Sequence, residues 1–243
     1  MECIVTVQDP YNLPPGKLLG RNYIVQEFLG HGWEGEVYKV EERSTGIIRA
    51  AKLFYRHRYT KRTSPHVIYA KKLYRLKSCP IVIQYHHQDK VQVRRQNLDF
   101  LVSDFVDGEV LKNFIERQPG KRIQPFEAMH LFYALVQGVE HIHFLGEYHG
   151  DIHSENIMIK RRGMSFDVHL IDLMHLGAPS RTRIQQDVYD LIAVFYEMLG
   201  GERFYKNMPQ NIKRIILGRK KNLISRQFKM AGHLRLFMEN LDW

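Results

Sequence analysis

His149-Gly150-Asp151-Ile152-His153-Ser154-Glu155-Asn156-Ile157-Met158-Ile159 sets an acid and an amide five residues apart, directly before a short apolar run that reads as a strand. A carboxylate able to take a proton and an amide oxygen able to hold a cation are two parts that phosphoryl transfer needs. Three further segments give the stretch its meaning through their order. Gly30-x-Gly32-x-x-Gly35-x-Val37 lies upstream, Ala50-Ala51-Lys52 follows it, and Ile171-Asp172-Leu173 comes shortly after the acid and amide. Each segment is weak alone; the order is specific.

The glycine-rich turn sits between two runs of strand character, Tyr23–Leu29 and Glu36–Glu41. Backbone N–H groups there can approach phosphates without side-chain obstruction. Because a strand rather than a helix follows, the pattern argues against a dinucleotide fold. Lys52 lies in a third strand, Ile47–Tyr55, among small and apolar neighbours. A lysine in such a setting is costly without an anion beside it, which points to contact with nucleotide phosphates. Asp151 in a loop and Asp172 at the end of His169-Leu170-Ile171 suit a base and a metal ligand, and Asn156 completes the metal pair. His149 and His153 lack the spacing of a zinc site. His149 reads as a packing or hydrogen-bonding residue and His153 as a phosphate or substrate contact.

Along the chain, residues 1–20 hold Asp9-Pro10 and Pro14-Pro15-Gly16 and read as an irregular leader. Ser64-Pro65 starts a helix expected to reach about Lys77, with Tyr69, Leu73 and Leu76 on one face. Ile81–Tyr85 and Phe100–Val102 are strand candidates, and a lobe boundary is expected near Asp104 to Asp107. Beyond it the periodicity turns helical, at Met129, Phe132, Val136 and Val139 and again from Asp187 to Leu199. Asp187 is expected either to cap that second helix or to bond the backbone of the acid-amide loop. The tail from Pro209 reads as two or three short helices.

With 243 residues, 44% hydrophobic and 26% charged, the chain has the material for a substantial core. It holds no run of eighteen apolar residues, no secretory signal pattern, and only Cys3 and Cys79. These features lead to the expectation of a reduced, cytoplasmic protein without a membrane span. The formal net charge of +10 favours anionic partners. No aromatic stacking motif accompanies the charge, which speaks against a nucleic-acid-binding module.

These motifs resemble the protein-kinase superfamily from about Tyr23 to Leu199. Gly30, Gly32, Gly35 and Val37 match its glycine loop, Lys52 its phosphate-binding lysine, Asp151 its catalytic base, and Asn156 and Asp172 its metal ligands. Leu101–Val106 is similar to the hinge that receives adenine, with Ser103 in the gatekeeper place and Asp104 beside it; Glu109 stands where a ribose contact falls. The resemblance implies an α+β bilobal fold, with an antiparallel-sheet N-lobe carrying one helix (21–104) and a mainly helical C-lobe (105–243). It also implies ATP with Mg²⁺ or Mn²⁺, and transfer of the γ-phosphoryl group to a hydroxyl, in the first place Ser or Thr of a protein.

The chain departs from that family in four places. No Asp or Glu lies between Lys52 and Asp89, whereas eight Lys or Arg do. Helix 65–77 therefore cannot supply the usual glutamate partner of Lys52, and its Lys71, Lys72, Arg75 and Lys77 become a candidate dock for an acidic or anionic partner. Gly150 replaces an arginine, so a phosphorylated activation loop has no usual link to the catalytic loop. Leu173-Met174 replaces Phe-Gly. Only fifteen residues separate Asp172 from Asp187, too short a span for a normal peptide-docking platform. His149-Gly150-Asp151 with His153 is also similar to aminoglycoside and choline kinases. Two other readings therefore stand beside the protein kinase: a small-molecule kinase, and a pseudokinase that binds nucleotide and partners.

Overall fold

The computed structural model describes residues 10–55, 64–163, 165–173 and 177–241. Cys3, Met174 and the basic residues Arg56, Arg58, Lys61 and Arg62 lie outside this set. The chain divides into two units, one made of Met1–Lys71 with Gln84–Phe105 and the other of Lys72–Ile83 with Val106–Trp243. The division falls within helix α1 (Pro65–Arg75).

The first unit is a six-stranded antiparallel sheet. Its strands are β1 (Leu18–Leu19), β2 (Tyr23–His31), β3 (Gly35–Glu42), β4 (Ile48–Phe54), β5 (Tyr85–Val93) and β6 (Gln96–Asp104). They lie in the order β1-β2-β3-β4-β6-β5. The period-two alternation puts Val25, Tyr38, Val40, Ala51, Leu53, Phe100 and Val102 into one buried cluster. Tyr11 and Leu13 join that cluster, so residues 10–17, irregular in backbone as expected, nonetheless pack into the core. Gly16 N–H donates to the Val25 carbonyl (2.8 Å) and Val25 N–H to that of Lys17 (2.9 Å). The prolines and glycine shape the approach, and the strand end captures it.

Of the two further strand candidates, Phe100–Val102 is the heart of β6. Ile81–Tyr85 is not a strand: Val82 makes an isolated bridge to Leu170, and β5 begins only at Tyr85. Helix α1 stops at Arg75, short of Lys77, where turn hydrogen bonds take over.

The second unit carries a three-stranded sheet of β7 (Glu109–Val110), β8 (Ile157–Arg162) and β9 (Ser165–Leu170), in that order. Around it lie α2 (Leu111–Arg117), α3 (Pro125–Phe144), α4 (Arg181–Met198), α5 (Glu202–Tyr205), α6 (Gln210–Ile216), α7 (Lys221–Gln227) and α8 (Ala231–Glu239). Helix α3 is its axis. Phe132 stacks on Phe195 of α4 with ring centroids 4.2 Å apart and planes at 9°. Glu140 of α3 holds Arg235 of α8 at 2.5 Å. Helix α4 starts six residues before Asp187, where the Ser180 hydroxyl accepts the Arg183 N–H (3.3 Å). Asp187 is therefore interior to the helix and does not cap it; Ser180 does. No helix among the described residues is long and apolar enough to cross a membrane.

Candidate active site

In the first unit the glycine turn closes through Gly32 N–H to the Gly35 carbonyl (2.9 Å), and Tyr55 N–H donates to the Glu34 carbonyl (2.9 Å). Gly35 is required by close packing, because a Cβ there would lie 2.0 Å from the Leu53 carbonyl oxygen. Antiparallel register places Val37 opposite Lys52. Lys52 Nζ donates to Glu34 Oε2 at 2.6 Å, with side chains 9% and 20% exposed. Its ammonium also lies 5.1 Å from the Tyr69 ring centroid and 5.7 Å from that of Phe54. The acid that sequence reasoning could not find on α1 thus comes from the glycine loop, eighteen residues before the lysine. Trp33, at the tip, is 61% exposed.

Ser103 is buried and pairs with Ala50 and Tyr85 in the sheet. Asp104 beside it has its carboxylate engaged by Arg49 (3.1 Å), His86 (2.5 Å) and the Gln84 N–H (3.1 Å). Its N–H in turn donates to the Gln84 carbonyl (3.1 Å). Glu109, in the second unit, is ion-paired with Arg117.

The second unit assembles the acid-amide stretch from below. Asp187, fully buried, accepts His149 N–H on Oδ2 (2.7 Å) and Gly150 N–H on Oδ1 (2.8 Å), so the second of the two expectations for this residue holds. Its Oδ2 also meets His143 Nε2 at 3.1 Å, while His143 Nδ1 accepts the N–H of Ala231 (3.2 Å). Three donors compensate the buried carboxylate. Gly150 has a φ of 93°, in the left-handed region that a side chain such as arginine strains to occupy.

His149 is fully buried and links the loop to the end of β9. Its Nδ1 accepts the Asp151 N–H (3.2 Å), which leaves Nε2 to donate to the Ile171 carbonyl (3.1 Å). Burial drives its pKa down to about 4, against the opposing pull of Asp187. Ile171 N–H donates to the Asn156 carbonyl (3.0 Å), so the residue preceding Asp172 is held from both sides. Asp172 itself has a φ of 58°, which an aspartate tolerates better than most residues.

Asn156 Nδ2 donates to the Asp151 backbone carbonyl (3.0 Å) and to Asp151 Oδ2 (3.2 Å). That leaves Oδ1, the atom able to ligate a cation, outside the pair. Asp151 is exposed, and its Oδ2 lies 3.5 Å from His153 Nε2. Among the described residues no three His, Cys, Asp or Glu side chains cluster as a preformed metal cage. Two oxygen donors from Asn156 and Asp172 fit a hard cation that keeps most of its shell from water and phosphate.

The four cations of α1 and its end are not one free surface. Lys72 is 3% exposed, donates to the His149 carbonyl (3.4 Å) and sits 4.2 Å from the Tyr148 ring centroid. Arg75, although exposed, pairs with Glu147 at 2.5 Å. Of the four cations proposed as a dock, Lys72 and Arg75 are thus engaged by residues outside the segment, and Lys71 and Lys77 are exposed. Tyr148 also takes part in holding the short segment after Asp172. Its hydroxyl donates to the Gly177 carbonyl (3.1 Å), and Arg183 donates to that hydroxyl (2.6 Å) and to the Ala178 carbonyl (3.1 Å).

The protein kinase domain family matches residues 23–178, and the chain belongs to it. It is 29% identical over 190 residues to a cell division control protein 2 homolog D of Antirrhinum majus, covering 75% of this chain and 60% of that protein. It is 27% identical over 152 residues to a calcium/calmodulin-dependent protein kinase type II alpha chain of Drosophila melanogaster, covering 62% of this chain and 27% of that one. The chain thus spans less than two thirds of the length of these relatives. The crystal structure of a mutant form of the Mycobacterium tuberculosis PknI kinase domain superposes with a TM-score of 0.65 at 16% identity, over 93% of this chain and 98% of that one. At that identity the likeness is one of fold: an antiparallel sheet unit and a mainly helical unit.

Proposed function

We propose that the chain is an ATP-dependent phosphotransferase whose acceptor is a Ser or Thr hydroxyl of a protein. The observation that carries this reading is the hydrogen-bonded set Asp151, Asn156 and Ile171-Asp172, fixed by His149 and Asp187. Asp151 accepts the proton as the hydroxyl oxygen attacks the γ-phosphorus, the β–γ bridging bond breaks, and ADP leaves. Asn156 and Asp172 hold Mg²⁺ or Mn²⁺, which when bound neutralises charge on the phosphates. In the first unit the turn through Gly30, Gly32 and Gly35 and the ammonium of Lys52 receive phosphate, Val37 packs on the base, and the strand end at Asp104 meets adenine. Glu109 takes the ribose if Arg117 yields it.

The kinases named among the relatives support a protein as acceptor. One observation favours a second reading, an alcohol group on a small molecule: eight residues lie between Asp172 and the start of α4, leaving little length for a peptide platform. Offering γ-labelled ATP with Mg²⁺ to generic protein substrates, to the chain itself, and to aminoglycosides and choline tests both. Label on protein Ser or Thr is expected. Label on small alcohols alone transfers the assignment, and label on none removes it. In binding experiments Mg²⁺ should tighten nucleotide affinity, and Asp172→Ala should abolish that gain; metal-independent binding in both proteins argues for a pseudokinase.

A further inference from the structure

We propose that Glu34, on the glycine loop, is the positioning acid of Lys52, doing from β2–β3 what no residue of α1 can do. The inference rests on the reading that Lys52 engages nucleotide phosphate. Position, chemistry and burial converge on it. The Glu34 main chain is pinned to the end of β4 by Tyr55 N–H, which directs the side chain back along that strand to Lys52 Nζ at 2.6 Å. The helix presents the Tyr69 ring at the same ammonium, and that ring is 2% exposed. With Phe54 it forms an apolar wall beside the ion pair. An ion pair against such a wall, with the lysine 9% exposed, is screened less than a surface pair.

The lysine, its acid and the turn that carries the acid all lie between residues 32 and 55, in one sheet. Lys52 is oriented by the loop and not by a helix acid, so its orientation follows the loop's position. Phosphate that reaches the loop meets an ammonium already paired with Glu34.

Two measurements test this. Acylation of Lys52 by an amine-reactive ester, followed by mass spectrometry across about pH 7 to 11, reads the ammonium directly and needs no catalysis. A neighbouring carboxylate favours the charged form, so Glu34→Gln should shift the labelling midpoint to lower pH and speed labelling several-fold at fixed pH. Glu34→Gln combined with Tyr69→Glu, which puts a carboxylate on the helix face beside Nζ, should return the midpoint toward the parent. An unchanged midpoint in Glu34→Gln overturns the proposal, and this single loop variant decides it even if the double variant does not fold.

With Mg-ATP, kcat/KM should fall on the order of tenfold in Glu34→Gln, the effect of one charged contact, and recover in part in the double variant. A rise in both nucleotide affinity and turnover in Glu34→Gln would instead make the pair a block, and also overturns the proposal. A parent that turns over no ATP while its labelling midpoint shifts as described defeats the kinase reading and leaves the Glu34–Lys52 assignment standing.

Discussion

Lys72 carries a charge into a site that barely tolerates it. Burial drives its pKa from the ordinary 10.5 down to about 8, partly resisted by Glu147 and Asp187. Between those two values the unfolded chain holds more protons at this position than the folded chain, so this group makes stability rise as pH rises through the window. Below it the penalty is fully present, on the order of 3 kcal/mol. Lys72→Met should therefore be more stable than the parent at neutral pH and lose the gain between about pH 8 and 10.5. Denaturant melts at pH 7 and 10 check this; parallel pH dependence in the two proteins contradicts it. The sequence pointed the other way. A lysine followed three residues later by an arginine on a polar helix reads as solvated surface, and nothing local reveals that Tyr148 and the His149 carbonyl lie against it. Glu34 escaped for a related reason. Its partner lies eighteen residues away across a hairpin, a separation that no helical spacing signals. Asp151 and Asn156 stand out in the sequence because their spacing is local, and the structure hydrogen-bonds the two side chains at 3.2 Å.

At the scale of elements, the segment before β1 is built into the sheet by a buried carboxylate. Glu36, fully buried, accepts Tyr11 N–H (2.6 Å) and the Tyr55 hydroxyl (3.0 Å), and also the hydroxyl of Tyr38, whose pKa burial and this carboxylate both raise. Replacing Glu36 with leucine strands three buried donors at about 1–3 kcal/mol each, so unfolding free energy should fall by about 3 kcal/mol or more. Tyr11→Phe is the control. Among the described residues the buried Tyr11 hydroxyl has no hydrogen-bond partner, so its removal should cost nothing or stabilise. Chemical denaturation of the two variants distinguishes this network from simple packing; equal losses contradict it. Elements with clean periodicity, β2 to β4 and α3, were readable from the sequence. Strand β5 was not, because its Tyr85–Val93 run alternates few apolar side chains. Helix α4 was read six residues late, because Arg181–Gln186 offers only Ile184 to an apolar face.

For the whole molecule, the sheet unit and the helical unit each carry one half of the proposed chemistry, and the halves make separable demands. On the proposed reading, nucleotide grip falls to the glycine loop, Lys52 and Glu34, and proton removal to Asp151, held by Asn156 and by the Asp187 network. The most direct measurement compares γ-phosphoryl transfer from Mg-ATP by the parent and by Asp151→Asn, with nucleotide affinity determined on the same two proteins. The account predicts turnover lower by about two to four orders of magnitude in the variant, with affinity nearly unchanged. Equal turnover in the two proteins, or none in the parent despite nucleotide binding, would contradict it.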